Sequence, residues 1–360
     1  MRRDNRIALM RRRLCAWYAR HARDLPWRRT KNPYAIWVSE VMLQQTRVAT
    51  AVPYFKRFLR RFPDVRALAR APLDAVLKTW EGLGYYGRAR NLHCAARTVV
   101  SDWGGELPRA SQDLLRLPGI GRYTAGAIAS IAFGLDEPVL DGNVTRVLCR
   151  VFRVDKAPAS AKTQRRLWTL ARRLIPAGRA GLLNQSLMDL GATVCTPRHS
   201  ACPRCPLEDL CLAHARGEGE KLPVKVRRKP IPHYEVSAGV VWKRGRILID
   251  RRPSEGLLGG LWEFPGGRCL AGETLEECVV REIREELGIR VRVRRPLVTV
   301  KHAYSHFRIT LHVFECDHSS GRPKAIACAA WKWVRPKDLD RFAFPQANRK
   351  VIAELRKRHT

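Results

Sequence analysis

The chain has no apolar run long enough to cross a bilayer, and no hydrophobic leader stands behind its basic start, Met1 to Arg13. A spanning helix needs roughly 20 consecutive apolar residues, so no membrane span is expected, and the expected location is cytoplasmic and nucleoid-associated. Acidic residues are scarce: 33 Asp and Glu stand against 68 Lys and Arg, a net charge of +35. A surface of that sign disfavours cationic partners and favours a polyanion, bound through phosphate neutralisation and counterion release. A genome rich in arginine codons would add to the same excess. Cysteine is present 11 times, an odd number with no export signal, which argues for a reducing compartment and against a disulfide framework. A length of 360 residues with 45% hydrophobic content is enough for two cores.

From residue 6 to about 212 the apolar positions recur at three and four, the helical period, with Pro and Gly as punctuation at Phe62-Pro63, Ala71-Pro72, Leu107-Pro108 and Leu117-Pro118. Ala213 to Pro232 has linker composition, with Gly217, Gly219, Pro223, a basic run Lys225 to Lys229, Pro230 and Pro232. From Tyr234 the pattern shifts to β-rich runs, Val236–Trp242, Ile247–Asp250, Leu297–Val300 and Ile309–Phe314, around one helix from about Thr274 to Leu287. The expected organisation is an all-α domain over 1–213, a linker over 214–233 and an α+β domain over 234–360.

Cys195, Cys202, Cys205 and Cys211 are separated by six, two and five residues. Four thiolates spaced this way suit a 4Fe-4S cube, in which each iron corner takes one soft anionic ligand. Structural zinc is the alternative, although zinc sites usually pair two short Cys knuckles and only Cys202 and Cys205 form one here.

Leu117-Pro118-Gly119-Ile120-Gly121-Arg122-Tyr123 lies between two helical patterns. Gly119 and Gly121 permit a tight turn whose exposed amides face a phosphate at the next helix start. Some twenty residues on, Leu140-Asp141-Gly142-Asn143-Val144 places an acid at a helix start, and upstream Glu40 sits in an apolar helix beside Trp37, Val41 and Leu43. Cleavage of an N-glycoside needs one acid to protonate the departing base and one anion to oppose an oxocarbenium-like sugar. Glu40 is expected to hold a proton through burial, and Asp141 to stay ionised beside helix amides.

In order and spacing, Leu25-Pro26-Trp27-Arg28, Gln44-Gln45-Thr46, Gly82-Leu83-Gly84-Tyr85-Tyr86, the Leu117–Gly126 turn, Asp141-Gly142-Asn143-Val144 and the cysteine loop Cys195–Cys211 resemble the helix-hairpin-helix, Gly-Pro-Asp superfamily and, within it, the MutY-type adenine glycosylases. Endonuclease III is similar but carries a Lys in the hairpin where this chain has Tyr123. A Lys there forms a Schiff base and cuts the strand, so Tyr123 implies a monofunctional enzyme that leaves an abasic site. The resemblance further implies that Glu40 delivers a proton to N7 of adenine, that Asp141 opposes the sugar cation, and that Tyr123 and Asn143 assist. By the same resemblance Arg28 and Gln185 hold the extruded adenine, Gln45 and Tyr85 wedge the stack, and Thr46 lies by the opposite base. The implied partner is duplex DNA with adenine opposite 8-oxoguanine or guanine, bound by a monomer.

In the second domain Gly267, Glu273 and Arg281-Glu282-Ile283-Arg284-Glu285-Glu286-Leu287-Gly288-Ile289, preceded by Leu261-Trp262-Glu263-Phe264-Pro265-Gly266, form a complete Nudix box. Glu282, Glu285 and Glu286 fall at i, i+3 and i+4, one helical face that suits Mg²⁺. Residues 234–360 resemble the Nudix pyrophosphohydrolases, whose fold the MutY type reuses to sense 8-oxoguanine. Ser305 and His306 fall at the position of its base-reading loop.

Overall fold

The computed structural model describes residues 3–225 and 230–359. Met1, Arg2 and the greater part of the expected basic linker run, 226–229, lie outside the described residues. By contact the chain divides into one unit of Met1–Arg70 with Asn91–Arg228, and a second of Ala71–Arg90 with Lys229–Thr360. The elements up to the cysteine loop are helical: α1 (Arg3–His21), α2 (Pro33–Leu43), α3 (Val48–Arg61), α4 (Val65–Arg70), α5 (Leu73–Trp80), α6 (Gly87–Asp102), α7 (Ser111–Leu114), α8 (Arg122–Ile131), α9 (Gly142–Val151), α10 (Ala161–Leu174) and α11 (Ala180–Thr193). After them come β1 (His233–Lys243), β2 (Arg246–Arg251), β3 (Trp262–Glu263), β4 (Gly266–Arg268), α12 (Leu275–Leu287), β5 (Arg290–Ala303), β6 (Arg308–Ser320), β7 (Ala330–Val334) and α13 (Gln346–His359).

The core of the first unit joins Met10 and Leu14 of α1, Ile36 of α2, Val147 and Leu148 of α9, and Leu183, Leu187 and Leu190 of α11. Partly buried Cys195, Cys205 and Cys211 pack against the same cluster, so the cysteine loop is seated on the helices that carry the site. Close approach of α9 and α11 depends on Gly191, where an added Cβ would lie 2.6 Å from Asn143 Cβ.

In the second unit the sheet runs β3-β2-β1-β6-β5, with β4 on β1 and β7 on β2. β1 and β6 are parallel and the other pairs antiparallel, which makes the sheet mixed. Alternation along β1 sends Val240 to one face, packed with Val351, Ile352 and Leu355 of α13, and Val241 to the other, packed with Val279, Ile283 and Leu287 of α12. The helix α12 starts where sequence places it, because Thr274 and Glu277 form a reciprocal capping box, and it stops at Gly288 in the left-handed region. The expectation of a single helix in this part of the chain is corrected by α13, whose buried Ala347, Val351, Ile352 and Leu355 cover one sheet face.

Residues 71–90 also depart from expectation, since they belong by contact with the second unit and not with the helices around them in sequence. The buried Glu81 accepts the Phe344 N–H at 2.9 Å and pairs with Arg349 at 3.3 Å, while Lys78 donates to the Phe342 carbonyl at 2.9 Å. Local periodicity carries no trace of such long-range pairings.

Candidate functional site

In the helical unit a cavity of about 1000 Å³ is lined by Arg28, Glu40, Gln45, Thr46, Tyr123, Asp141, Asn143 and Gln185. Every sequence-predicted residue of the first unit outside the cysteine loop, apart from Gly119 and Gly121, therefore faces one space. Glu40 is brought there by α2, whose residues Tyr34–Met42 are all buried, and it is 4% exposed. The Tyr123 hydroxyl, on α8, donates to Glu40 Oε2 at 2.6 Å. Burial raises the Glu40 carboxyl to about 7, with Asp141 adding to the rise and the Tyr123 hydrogen bond and the Arg28 cation opposing it. A carboxyl so placed holds a proton in part at neutral pH and can release it.

Asp141 is the N-cap of α9, accepting from Val144 N at 2.7 Å and from Asn143 Nδ2 at 2.9 Å. Burial raises the Asp141 carboxyl from its ordinary value, while the hydrogen bonds from Val144 and Asn143 and the Arg146 charge oppose that rise and favour the anion. Burial and the carboxylates of Glu40 and Asp141 hold the Tyr123 phenol far above its ordinary value, so it remains a hydrogen-bond donor.

Arg28 lies in the short 3₁₀ turn Pro26–Arg28. Its two terminal nitrogens donate to Asp189 at 2.5 Å and 2.6 Å, and its guanidinium carbon stands 5.4 Å from the Tyr18 ring centroid. Gln185 Nε2 is engaged with the Gly181 carbonyl at 3.0 Å, and its Oε1 accepts from the Tyr18 hydroxyl at 3.4 Å. Asp189 and Tyr18 were missed in the sequence. For Asp189 the same signal existed as for Glu40: an acid within an apolar helical stretch, Leu187-Met188-Asp189-Leu190.

At the hairpin between α7 and α8, Gly119 has φ +77° and a Cβ there would lie 2.6 Å from Asn91 Cβ, so glycine is required twice over. Gly121 is the N-cap of α8 and leaves that helix without a side-chain cap; a Cβ on it meets open space. Its neighbouring amides are thus accessible from outside the chain. Gln45 is exposed and adopts φ +57°, a conformation that costs a non-glycine residue on the order of 1 kcal/mol.

Cys195, Cys202, Cys205 and Cys211 all line a second cavity of about 260 Å³. Arg150 Nη1 stands 3.3 Å from the Cys195 sulfur. The amides of Ala213 and His214 favour a Cys211 thiolate, and the Leu207 amide favours one at Cys205. Burial pushes the Cys205 thiol up to about 12, so a positive ligand is needed to ionise it at neutral pH. Among the described residues no three His, Cys, Asp or Glu side chains are gathered as on a single metal ion. Four sulfurs around one cavity, with a cation and amides aimed at them, fit a multi-atom cluster.

In the second unit Tyr85, at φ +49°, hydrogen-bonds Ser305 through its hydroxyl. The β5–β6 turn holding Ser305 and His306 is closed by Tyr304 N donating to Phe307 O at 2.8 Å and by stacking of the Tyr304 and Phe307 rings. His306 stays exposed and lines a cavity of about 540 Å³ with Tyr85 and Ser305. Among the described residues the three Nudix carboxylates are not gathered as on a metal ion. Arg281 binds Glu282 at 2.9 Å and Glu285 at 3.1 Å, whereas Glu286 accepts from Gly266 N at 3.2 Å and is raised to about 8 by burial and by Glu263.

Residues 38–173 match the family described as HhH-GPD superfamily base excision DNA repair protein, and residues 237–354 match the NUDIX domain. A thermostable thymine-DNA glycosylase of known structure is 30% identical, with a TM-score of 0.55 over 59% of this chain and 98% of that one. An endonuclease III–DNA complex, 23% identical with a TM-score of 0.51 over 61% of this chain and 98% of that one, shares the fold. Fold and cavity together define a DNA glycosylase of the helix-hairpin-helix class carrying a Nudix domain. The adenine DNA glycosylase of Homo sapiens is 38% identical over 94% of this chain and 72% of its own length. That of Buchnera aphidicola from Schizaphis graminum is 35% identical over 82% of this chain and 84% of its own length. The chain belongs to the adenine DNA glycosylase family.

Proposed function

We propose that the chain excises adenine paired with 8-oxoguanine or guanine in duplex DNA, hydrolysing the N-glycosidic bond and leaving an abasic site. The observation that carries this reading is the Tyr123–Glu40 hydrogen bond of 2.6 Å in the cavity that Asp141 shares. The base must leave the duplex to reach so enclosed a space. Glu40, partly protonated at neutral pH, gives its proton to N7 of the departing adenine. Asp141, held by the α9 amides, opposes the positive charge that develops on the sugar. Arg28 and Gln185 border the extruded base, Asn143 fixes the Asp141 carboxylate, Gln45 wedges the stack and Thr46 lies by the opposite base. With tyrosine in the hairpin there is no amine at position 123 to form a Schiff base, so the strand stays intact. The uncapped α8 amides beyond Gly119 and Gly121 serve as a phosphate contact. The working form is a monomer in the cytoplasm, at the nucleoid. Single-turnover excision from duplexes pairing adenine with 8-oxoguanine, guanine, cytosine or thymine tests the reading; no excision from any of them would overturn it.

For the second unit we infer a role in reading 8-oxoguanine, with Ser305 and His306 as the contacting pair and Tyr85 as their neighbour at the stack. His306→Ala should lower the preference for 8-oxoguanine over guanine by roughly tenfold, the worth of one hydrogen bond to a base. Equal loss on both substrates would leave His306 as a general DNA contact. Mg²⁺ at Glu282, Glu285 and Glu286 would first have to displace Arg281. Mg²⁺-dependent pyrophosphate release from 8-oxo-dGTP would establish that second activity.

We further infer that Cys195, Cys202, Cys205 and Cys211 hold a 4Fe-4S cluster. With the cluster held there, the loop carrying Arg198, His199 and Arg204 would be organised against DNA. Anaerobically purified protein should be yellow-brown and contain iron and sulfide in near-equal amounts. Zinc without iron would refute the assignment.

A further inference from the structure

Asp189 is a buried acid of the first unit with several hydrogen-bond partners and no part in the chemistry described so far. Its side chain is 0% exposed, on α11. It takes both terminal nitrogens of Arg28, at 2.5 Å and 2.6 Å, the Arg23 Nε at 2.7 Å and the Arg23 backbone N–H at 3.0 Å. A buried carboxylate with two guanidinium partners is costly to create and costly to break. Arg28 meanwhile lines the same cavity as Glu40, and its charge works against the proton on Glu40.

We propose that Asp189 is a positioning residue and counter-charge for the cavity: it fixes the Arg28 fork at the wall and cancels enough of its charge for Glu40 to keep a transferable proton. This rests on the reading of Glu40 as the acid of adenine removal. An arginine facing a flipped base needs a rigid donor geometry, and a bidentate carboxylate supplies it. Left without a counter-charge, that arginine would ionise the acid it stands beside. The groups facing Glu40 are Tyr123 from α8, Asp141 at the head of α9 and Arg28 from the 3₁₀ turn, with Arg23 and Arg47 further along the cavity lining. Asp189 faces Arg28 and Arg23, with Tyr18 beneath Arg28. Of these, Asp189 is the carboxylate bonded to the Arg28 guanidinium itself.

The test is a pair of variants with opposite expected signs. Asp189→Asn keeps the shape but removes the anion; Arg23→Gln leaves Asp189 with Arg28 alone. The Glu40 midpoint is read by the ¹³C carboxyl shift in glutamate-labelled protein, assigned by loss of the signal in Glu40→Gln, and again from single-turnover excision against pH. Asp189→Asn should move the midpoint down by about one unit, cutting excision about tenfold near pH 8 while sparing it near pH 6. Arg23→Gln should move it up. General structural damage would lower the rate at every pH without moving midpoints in opposite directions. An unmoved carboxyl midpoint in Asp189→Asn overturns the proposal, and if that variant fails to fold, an unmoved or lowered midpoint in Arg23→Gln does so. A wild-type protein with the expected carboxyl shifts but no adenine excision would overturn the functional reading and leave the electrostatic one standing.

Discussion

Asp141→Asn should reduce single-turnover excision of adenine by about three orders of magnitude while leaving duplex affinity within a few-fold, because electrostatic stabilisation of a developing charge is lost and the phosphate contacts are not. The N-cap survives in outline, since an asparagine oxygen still accepts the Val144 N–H that now reaches Asp141 at 2.7 Å. What disappears is the negative charge beside the sugar. Binding measured by anisotropy and cleavage measured under enzyme excess separate the two. Excision within tenfold of wild type would remove Asp141 from the mechanism.

In the second unit, stability should fall as pH rises from about 5 to about 9, by on the order of 2–4 kcal/mol. Asp250 of β2 lies opposite Glu263 of β3 in the ladder, both Asp250 oxygens are buried with no hydrogen-bond partner among the described residues, and Arg252 pairs with Glu263 at 2.7 Å. Burial, with Glu263 and Glu286 adding to it, raises Asp250 well above the usual carboxylate range, and Glu286 is raised to about 8. One guanidinium cannot neutralise three carboxylates, so the cluster prefers to hold protons. For acids whose folded value exceeds the unfolded one, the favourable contribution is complete below the unfolded value and is lost as pH climbs through the folded one. Asp250→Asn should flatten this dependence and raise the melting temperature at about pH 9 relative to wild type, as calorimetry can show. An equal slope in both proteins would place the effect elsewhere.

Much of the first unit's site is legible in the chain because its signals are local. An acid inside an apolar helix, an acid at a helix start, two glycines in a turn and four spaced cysteines each carry their meaning within a few residues, and folding gathers the two acids around one cavity and the four cysteines around another. The capping box at Thr274 and Glu277 is equally local. What escapes notice is pairing between distant segments: Asp189 with Arg28, Glu81 with Phe344 and Asp250 with Glu263. The Nudix glutamates illustrate the limit from the other side. Spacing puts them on neighbouring positions of α12, but Arg281, one residue before the first, takes up two of them.

Because Ala71–Arg90 packs with the later part of the chain, the polypeptide passes between its two units three times: after Arg70, after Arg90 and near Arg228. Neither unit is a contiguous cassette. A gene fusion or exchange that joined the residues after the linker to a foreign partner would strip Phe344 of its Glu81 acceptor. Proteolysis near Lys225 should accordingly leave the C-terminal fragment without the Glu81 and Lys78 partners it has in the intact chain. In inheritance, the stretch around Trp80 must vary in step with the C-terminal residues it serves, and a transplant that succeeds will have to carry both pieces together.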